Sequence, residues 1–268
     1  MQRSIGVCSM VVIVNLVSAA TVFAQGVDFT FFLGKAFPVY DERLTLRASV
    51  PSLPGVEVTS ADVLEIQTDG GPVFGGAVAF EFGILALEGR LDATDIGFDL
   101  SGARFDLRAT QPPFTGLTGS IVVGPGRFDV DRLYLLSGNL RLRTPGPIGL
   151  VASGGLSLLP DITITGSVPL SVQIAGIPVV PGFEPRLRLV AAPGESSHRV
   201  GLNGGLGLRI GGRIALQGEA RVFYFREHEL RFDLDNAPEF VEAFLESLDS
   251  VRFDLIIVNA QVGLVVKF

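Results

Sequence analysis

The sequence predicts an all-β fold, an antiparallel transmembrane β-barrel of eight strands with short periplasmic turns and long external loops. Three observations lead there. Apolar and polar residues alternate in short runs between glycines and prolines, which number 33 and 16 among 268 residues. Mean hydropathy is positive, at +0.46, although no long apolar run follows residue 24, so the apolar residues must be spread over many two-faced strands. The connections between those strands alternate strictly between short and long.

Residues 1–24 are set aside first. Gln2 and Arg3 precede an apolar run from Ile5 to Ala20, and Val22-Phe23-Ala24 has the small-residue spacing of a signal-peptidase site, so the mature chain is expected to start near Gln25. Ser9 and Asn15 interrupt the run and no stop-transfer pattern follows it, which disfavours a retained membrane helix. Cys8 is the only cysteine, and it lies near the start of the run instead of after it, where a lipid anchor needs it. Beyond residue 24 the chain therefore has no thiol, which excludes disulfides, cysteine metal sites and cysteine catalysis. The remainder, 25–268, has the length of one β-domain. A formal charge of −7 argues against a nucleic-acid surface.

The first strand after the leader, Val27 to Ala36, carries Phe29, Phe31 and Leu33 on one side. In the next two, Val78, Phe80 and Phe82 alternate with Ala77, Ala79 and Glu81, and beyond a turn near Gly83, Leu85, Leu87 and Leu91 alternate with Glu88, Arg90 and Asp92. Leu136, Leu140 and Leu142 then alternate with Ser137, Asn139, Arg141 and Arg143, and Thr144-Pro145-Gly146-Pro147 turns the chain into Ile148 to Leu159. Val200, Leu202, Leu206, Leu208 and Ile210 face away from Asn203, Gly205, Gly207 and Arg209. After Gly211-Gly212, Ile214, Leu216, Ala220, Val222 and Tyr224 alternate with Arg213, Gln217, Glu219 and Arg221. In the last strand the even positions from Ile256 through Val258, Ala260, Val262, Leu264 and Val266 to Phe268 are all apolar, against Asn259, Gln261, Gly263 and Lys267. This strand pairs most simply with the first, which removes both open edges.

Three connections are tight, near Gly83, Pro145 and Gly211, and four are long: Phe37 to Val73, Ala93 to Arg127, Pro160 to Arg199 and Arg226 to Val251. Ile162 to Ile174 and Ile96 to Leu107 also alternate, so strands either continue above the bilayer or add hairpins that raise the count to ten or twelve. Asn236 with Glu239, Pro238 between them and Phe240, Phe244 and Leu248 beyond, predicts a capped amphipathic helix packed on the barrel mouth.

The segments "GGLGLRIGGRIALQGEARVF" within Gly204 to Phe225 and "SGNLRLRTPGPIGLVASGG", together with the terminal Phe268, resemble the hairpins of OmpA-type small outer-membrane barrels. The resemblance spans the chain after the leader as a pattern of faces. It implies an outer-membrane location and carries over no active site.

Because hydrocarbon cannot satisfy charge, the apolar face is expected to meet lipid and the polar face to fill the lumen. The inward set is Glu81, Glu88, Arg90, Asp92, Asn139, Arg141, Arg143, Asn203, Arg209, Gln217, Glu219, Arg221, Asn259, Gln261 and Lys267, with both signs interspersed. It is read as an ion-pair network in a lumen too narrow for a wide channel, with a narrow pore or small-ligand pocket as the alternative. A soluble lipocalin-like barrel would have the faces inverted. Val262, Leu264, Val266 and Phe268 are read as the assembly signal that the resemblance implies. The expected partners are outer-membrane lipid and lipopolysaccharide and the barrel-assembly machinery, with no nucleic acid and no cofactor; no oligomeric state follows.

Enzymatic readings are weaker. Ser196, Ser197 and His198 offer a hydroxyl and an imidazole of the kind lipid A deacylases use, yet adjacent residues in a strand point to opposite faces, which disfavours direct proton transfer from Ser197 to His198. His228 is read as another solvated histidine. Asp233, Asp235, Asn236 and Glu239 are acidic enough to suggest calcium, but the spacing of an EF-hand loop is missing and helix capping explains Asn236. Gly70-Gly71, Gly75-Gly76 and Gly154-Gly155 lack the strand-to-helix setting of a phosphate loop and are read as turns or bends. No catalytic, cofactor or metal residue is assigned.

Overall fold

The computed structural model of the chain describes residues 26–39, 43–44, 56–62, 64–113, 115–160, 164–175, 177–178, 186–191, 199–235 and 251–268. The expected leader 1–24 and the helix expected after Asn236 lie outside these residues. Every regular element among them is a strand: β1 (Gly26–Pro38), β2 (Arg43–Leu44), β3 (Val56–Ala61), β4 (Leu64–Phe82), β5 (Leu85–Leu100), β6 (Ala103–Ala109), β7 (Thr118–Val123) and β8 (Gly126–Arg143) in the first half. The second half adds β9 (Ile148–Leu159), β10 (Ile164–Gly166), β11 (Val168–Ile174), β12 (Ile177–Pro178), β13 (Arg186–Ala191), β14 (Arg199–Gly211), β15 (Ile214–Asp235) and β16 (Val251–Lys267).

Eight of these close an antiparallel barrel, in the order β1, β4, β5, β8, β9, β14, β15, β16 and back to β1. The closing seam runs to the last residue, with Val27 N donating to Phe268 O at 3.2 Å and Phe268 N to Val27 O at 2.9 Å. The three tight turns lie at the same end as this seam. Gly83 takes a positive φ of 71°, which glycine adopts without a Cβ clash, and Thr144 Oγ1 accepts from Leu150 N at 2.8 Å across the second turn.

The long connections are not plain loops. β4, β5, β8 and β15 run on past the barrel, and β6, β7, β11 and β13 build a sheet that joins the far end of β15 and ends at β3. Among the described residues of Ile162 to Ile174 and Ile96 to Leu107, β5 runs on past the barrel and β6, β10 and β11 are added strands outside it, so the closed barrel keeps eight strands.

Along the long strands the polarity of the two faces inverts. In the first part of β5, Leu85, Leu87 and Leu91 are exposed while Glu88, Arg90 and Asp92 are buried; further on, Ile96, Phe98 and Leu100 are buried and Asp99 is exposed. In β8 the exposed row changes from Leu142, Leu140, Leu136 and Tyr134 to Arg132, Asp129 and Arg127, and the buried row from Arg141, Asn139 and Ser137 to Leu135, Leu133, Val130 and Phe128. Register shifts mark the change, between Gly70 and Val73 in β4 and between Thr94 and Ile96 in β5. The turn-side segment, polar within and apolar without, has the polarity of a transmembrane β-barrel. The extension beyond it has that of a domain in water. Its core joins β5 and β8 to Ala103 and Phe105 of β6, Ile121 and Val123 of β7, and Val168 and Leu170 of β11.

Candidate functional site

The closed wall brings together on its inner surface side chains that are far apart in the chain. Of the fifteen inward residues expected from the sequence, all but Arg143 and Lys267 are buried, and those two sit half-buried at the turn-side rim. Residues beyond that set join them, among them Asp28, Thr30, Ser137, Ser153, Ser157 and Thr94. Asp28 follows directly from phase, since it alternates with Phe29 and Phe31. The serines alternate too, but a small hydroxyl is weak evidence for a polar face.

Asp28 ties the first strand to the opposite wall. Its Oδ2 accepts from Arg141 Nη2 at 2.7 Å and also from Arg209 Nη1, linking β1 to β8 and β14 across the lumen. Arg141 Nη1 reaches Glu88 Oε2 at 3.4 Å. At the rim Glu81 is paired with Arg143 Nη1 at 3.2 Å and with Lys267 Nζ. Deeper in, Arg90 holds Asp92 through Nε at 2.7 Å and Nη2 at 3.0 Å, contacts Glu219 through Nη1 at 3.3 Å, and stacks on the Phe32 ring 3.9 Å from its centroid.

Arg221 is the hub of the other wall. It donates through Nε to Glu219 at 2.9 Å and through Nη2 to Ser153 at 2.6 Å and Glu88 at 3.3 Å, and its Nη1 donates to Asn203 Oδ1. Gln217 Nε2 donates to Glu219 at 3.1 Å, Asn139 Nδ2 to Glu88 at 3.0 Å, and Asn203 Nδ2 to Ser157 at 2.9 Å, which in turn meets Ser137 at 2.7 Å. Space for this comes from Gly205, where a Cβ would lie 2.3 Å from Glu219 Oε1. The buried carboxylates Asp28, Glu81, Glu88, Asp92 and Glu219 face the buried guanidiniums of Arg90, Arg141, Arg209 and Arg221, with Arg143 and Lys267 adding two further cations at the rim.

Toward the extension the same inner face turns to hydrocarbon. Leu133 and Leu135 of β8, Leu159 of β9, Phe223 and Phe225 of β15, and Leu255 and Ile257 of β16 are buried there in one cluster. Gly201 makes room for it, since a Cβ at that position would lie 2.4 Å from the Phe225 ring. The lumen is thus filled by ion pairs at one end and sealed by side-chain carbon at the other.

On the outside, Phe31, Leu33, Leu206, Leu216, Leu264 and Phe268 belong to a continuous apolar surface. Val262 and Leu264 face outward on β16, Val266 is half-covered, and the Phe268 ring meets Phe29 edge-on at 5.6 Å. On the extension, Arg127 is exposed and lies among Asp129 at 2.7 Å, Asp69 at 3.1 Å and Asp99 at 3.6 Å, which raise its pKa above an already high value, the hydrogen bonds it donates to Asp129 and Asp69 contributing most.

Ser196, Ser197, His198, Asn236 and Glu239 lie outside the described residues, as does the side chain of His228, whose backbone belongs to β15. Asp233 and Asp235 lie on β15 opposite Arg188 and Arg186 of β13. Gly75-Gly76 and Gly154-Gly155 lie within strands, not turns, while Gly70-Gly71 lies at the β4 register shift.

No known family model matches the chain, and no curated protein matches its sequence. Among solved structures, the chain is similar to Ail, the attachment invasion locus protein of Yersinia pestis, crystallised with the heparin analogue sucrose octasulfate. Identity is 12%, the match covers 91% of this chain and 99% of that one, and the TM-score is 0.34.

Proposed function

We propose that the protein is an integral barrel of the bacterial outer membrane, of the small OmpA-like kind, that holds a folded β-platform outside the membrane for contact with other envelope or surface components. The observation that carries this reading is the filled lumen under a structured extension: a pore needs a continuous wet path, and here Leu133, Phe223, Phe225 and Ile257 occupy it. Long strands that continue into a packed sheet supply a rigid surface for binding, and the lumen's ion pairs fix the barrel beneath it. The narrow-pore reading lacks such support, and no described constellation supports hydrolysis of lipid.

The test combines fractionation with electrical recording. The chain is expected in the outer-membrane fraction, resistant to alkaline extraction, and without steady single-channel conductance after reconstitution in planar bilayers. A soluble product would defeat the membrane reading; stable unitary currents would restore the pore.

The same reading assigns assembly recognition to the outward row Val262, Leu264, Val266 and Phe268, because the seam between β1 and β16 closes on Phe268 and leaves no open edge in lipid. Removing Phe268 is expected to lower the heat-modifiable, membrane-embedded fraction in cells severalfold while the purified chain still folds in detergent. Equal loss in both settings would make Phe268 a stability residue only.

A further inference from the structure

On the outer wall of the barrel, the outward rows of β4 and β5 lose their side chains at Gly76 and Gly89, and a hollow of about 300 Å³ opens over the two glycines. Its floor continues onto β8, because Gly89 lies opposite Gly138. Leu91 and Leu136 bound the hollow on the extension side, and Val78 and Phe29 bound it on the turn side. Phe31, on β1 directly opposite Gly76, stands at its end with 65% of its surface exposed. A projecting ring and a recess thus lie side by side on one apolar wall.

We infer that this hollow and Phe31 are the two halves of a self-complementary contact through which two copies of the chain pair side by side in the membrane, an inference that rests on the membrane reading above. Two barrels inserted in the same direction are related by a twofold only if its axis runs along the membrane normal, and such an axis keeps every side chain at its own depth. A projection and a recess therefore match across it only when they lie at nearly one level. That condition holds here, since Phe31 and Gly76 are register partners on adjacent strands. With the axis between β1 and β4, each Phe31 enters the hollow of the other copy. An acyl chain fills the space less well. Tails run along the normal, and Leu91 on one side and Val78 on the other interrupt that path, so a tail bridges the hollow and leaves its lining without partner atoms. A blunt side chain that projects in the membrane plane makes those contacts. Bare glycine backbone also lets the two walls approach closely, which is the condition for association driven by packing in hydrocarbon.

The experiment measures the mass of the chain extracted from membranes, by sedimentation equilibrium in micelles whose density matches the solvent, so that only protein mass is read. As the ratio of protein to detergent rises, the mass is expected to climb from that of one chain toward twice that value. Gly89→Leu fills the hollow from its own floor, where a Cβ meets no atom within 4 Å, and should weaken pairing about tenfold while the barrel stays heat-modifiable. Phe31→Ala removes the projection and should weaken pairing likewise, which keeps the test decisive if Gly89→Leu does not fold. Leu206→Ala, on β14 and away from the hollow, takes an equally exposed side chain from the wall and should change nothing. A chain that is embedded in membranes yet has the mass of one copy at every ratio overturns the inference and leaves the membrane reading intact, because detergent or lipid tails then occupy the hollow. Pairing that neither hollow variant disturbs overturns it too, because the contact then lies elsewhere. Equal weakening by Leu206→Ala has the same consequence, since association then follows apolar area alone.

Discussion

β5 and β8 each pass through two regions of opposite polarity, and the comparison between those regions explains most of the molecule. In the barrel segment Leu87 and Leu140 point outward and Glu88 and Arg141 inward; in the extension Asp99 and Arg127 point outward and Phe98 and Phe128 inward. Backbone hydrogen bonding is the same throughout, since the β5–β8 ladder is continuous but for one register shift. What differs is the solvent outside. Hydrocarbon accepts leucine and rejects charge, so the barrel's charges go inside and must satisfy one another. Water accepts charge, so the extension keeps its hydrocarbon inside.

The largest expected effect comes from breaking the inward network. Arg221→Met leaves Glu219 and Asn203 without their closest donor, and Glu88 without one it shares with Asn139 and Arg141, in a site where all three are buried. Removing one partner of a buried pair typically costs about 3 to 5 kcal/mol, and that loss is expected in urea titrations of refolding into lipid vesicles. A variant as stable as the parent chain would mean that the lumen charges are solvated and that the barrel interior is not the closed network described here.

These two regions were not equally legible in the sequence. A period of two identifies the two faces of a strand but not which face meets which solvent, so the runs Val78 to Asp92 and Val200 to Arg221 suffice to phase the barrel once membrane is assumed. That phase also places Glu88, Arg90, Arg141, Arg209 and Gln261 inward, which is where they lie. In sequence the extension reads as long connections with some alternation because its strands are short and its pairings distant: β6 joins β3 and β7, β11 joins β7, and β13 joins β15, contacts that no local pattern encodes. The apolar half of the lumen is equally hard to see in the sequence. Leu133, Leu135, Phe223, Leu255 and Ile257 continue inward rows that are polar nearer the turns, and a reading that assigns one chemistry to each face passes over the change.

The outer face gives the next effect in size. Leu206 and Leu216 are 71% and 60% exposed and lie on adjacent strands in the apolar belt. Leu206→Arg or Leu216→Arg is expected to destabilise the barrel by about 2 to 4 kcal/mol at mid-membrane depth, measured by the same vesicle titration. Gln217→Leu, inward and next to Leu216, should lose less, because Gln217 donates one hydrogen bond and leaves one atom unmatched already. Equal tolerance at all three positions would erase the distinction between a lipid face and a lumen face and favour a barrel that lives in water.

The smallest effect is expected where the comparison places charge in water. Arg127 contacts three carboxylates, Asp69, Asp99 and Asp129, and the hydrogen bonds it donates to Asp129 and Asp69 hold its proton more firmly than usual. Because an arginine is already protonated at every accessible pH, raising its pKa adds no pH dependence to folding. The group is fully exposed, so screening by water and salt removes most of the attraction that the short distances suggest. Arg127→Gln is therefore expected to leave the vesicle-titration midpoint unchanged within error at ordinary salt, in contrast to Arg221→Met, although both arginines have several acidic partners. A large loss at Arg127 would show that this stretch of β8 is shielded from water, by lipid or by a neighbouring molecule, and would move the boundary between the two regions outward from the register shift between Thr94 and Ile96.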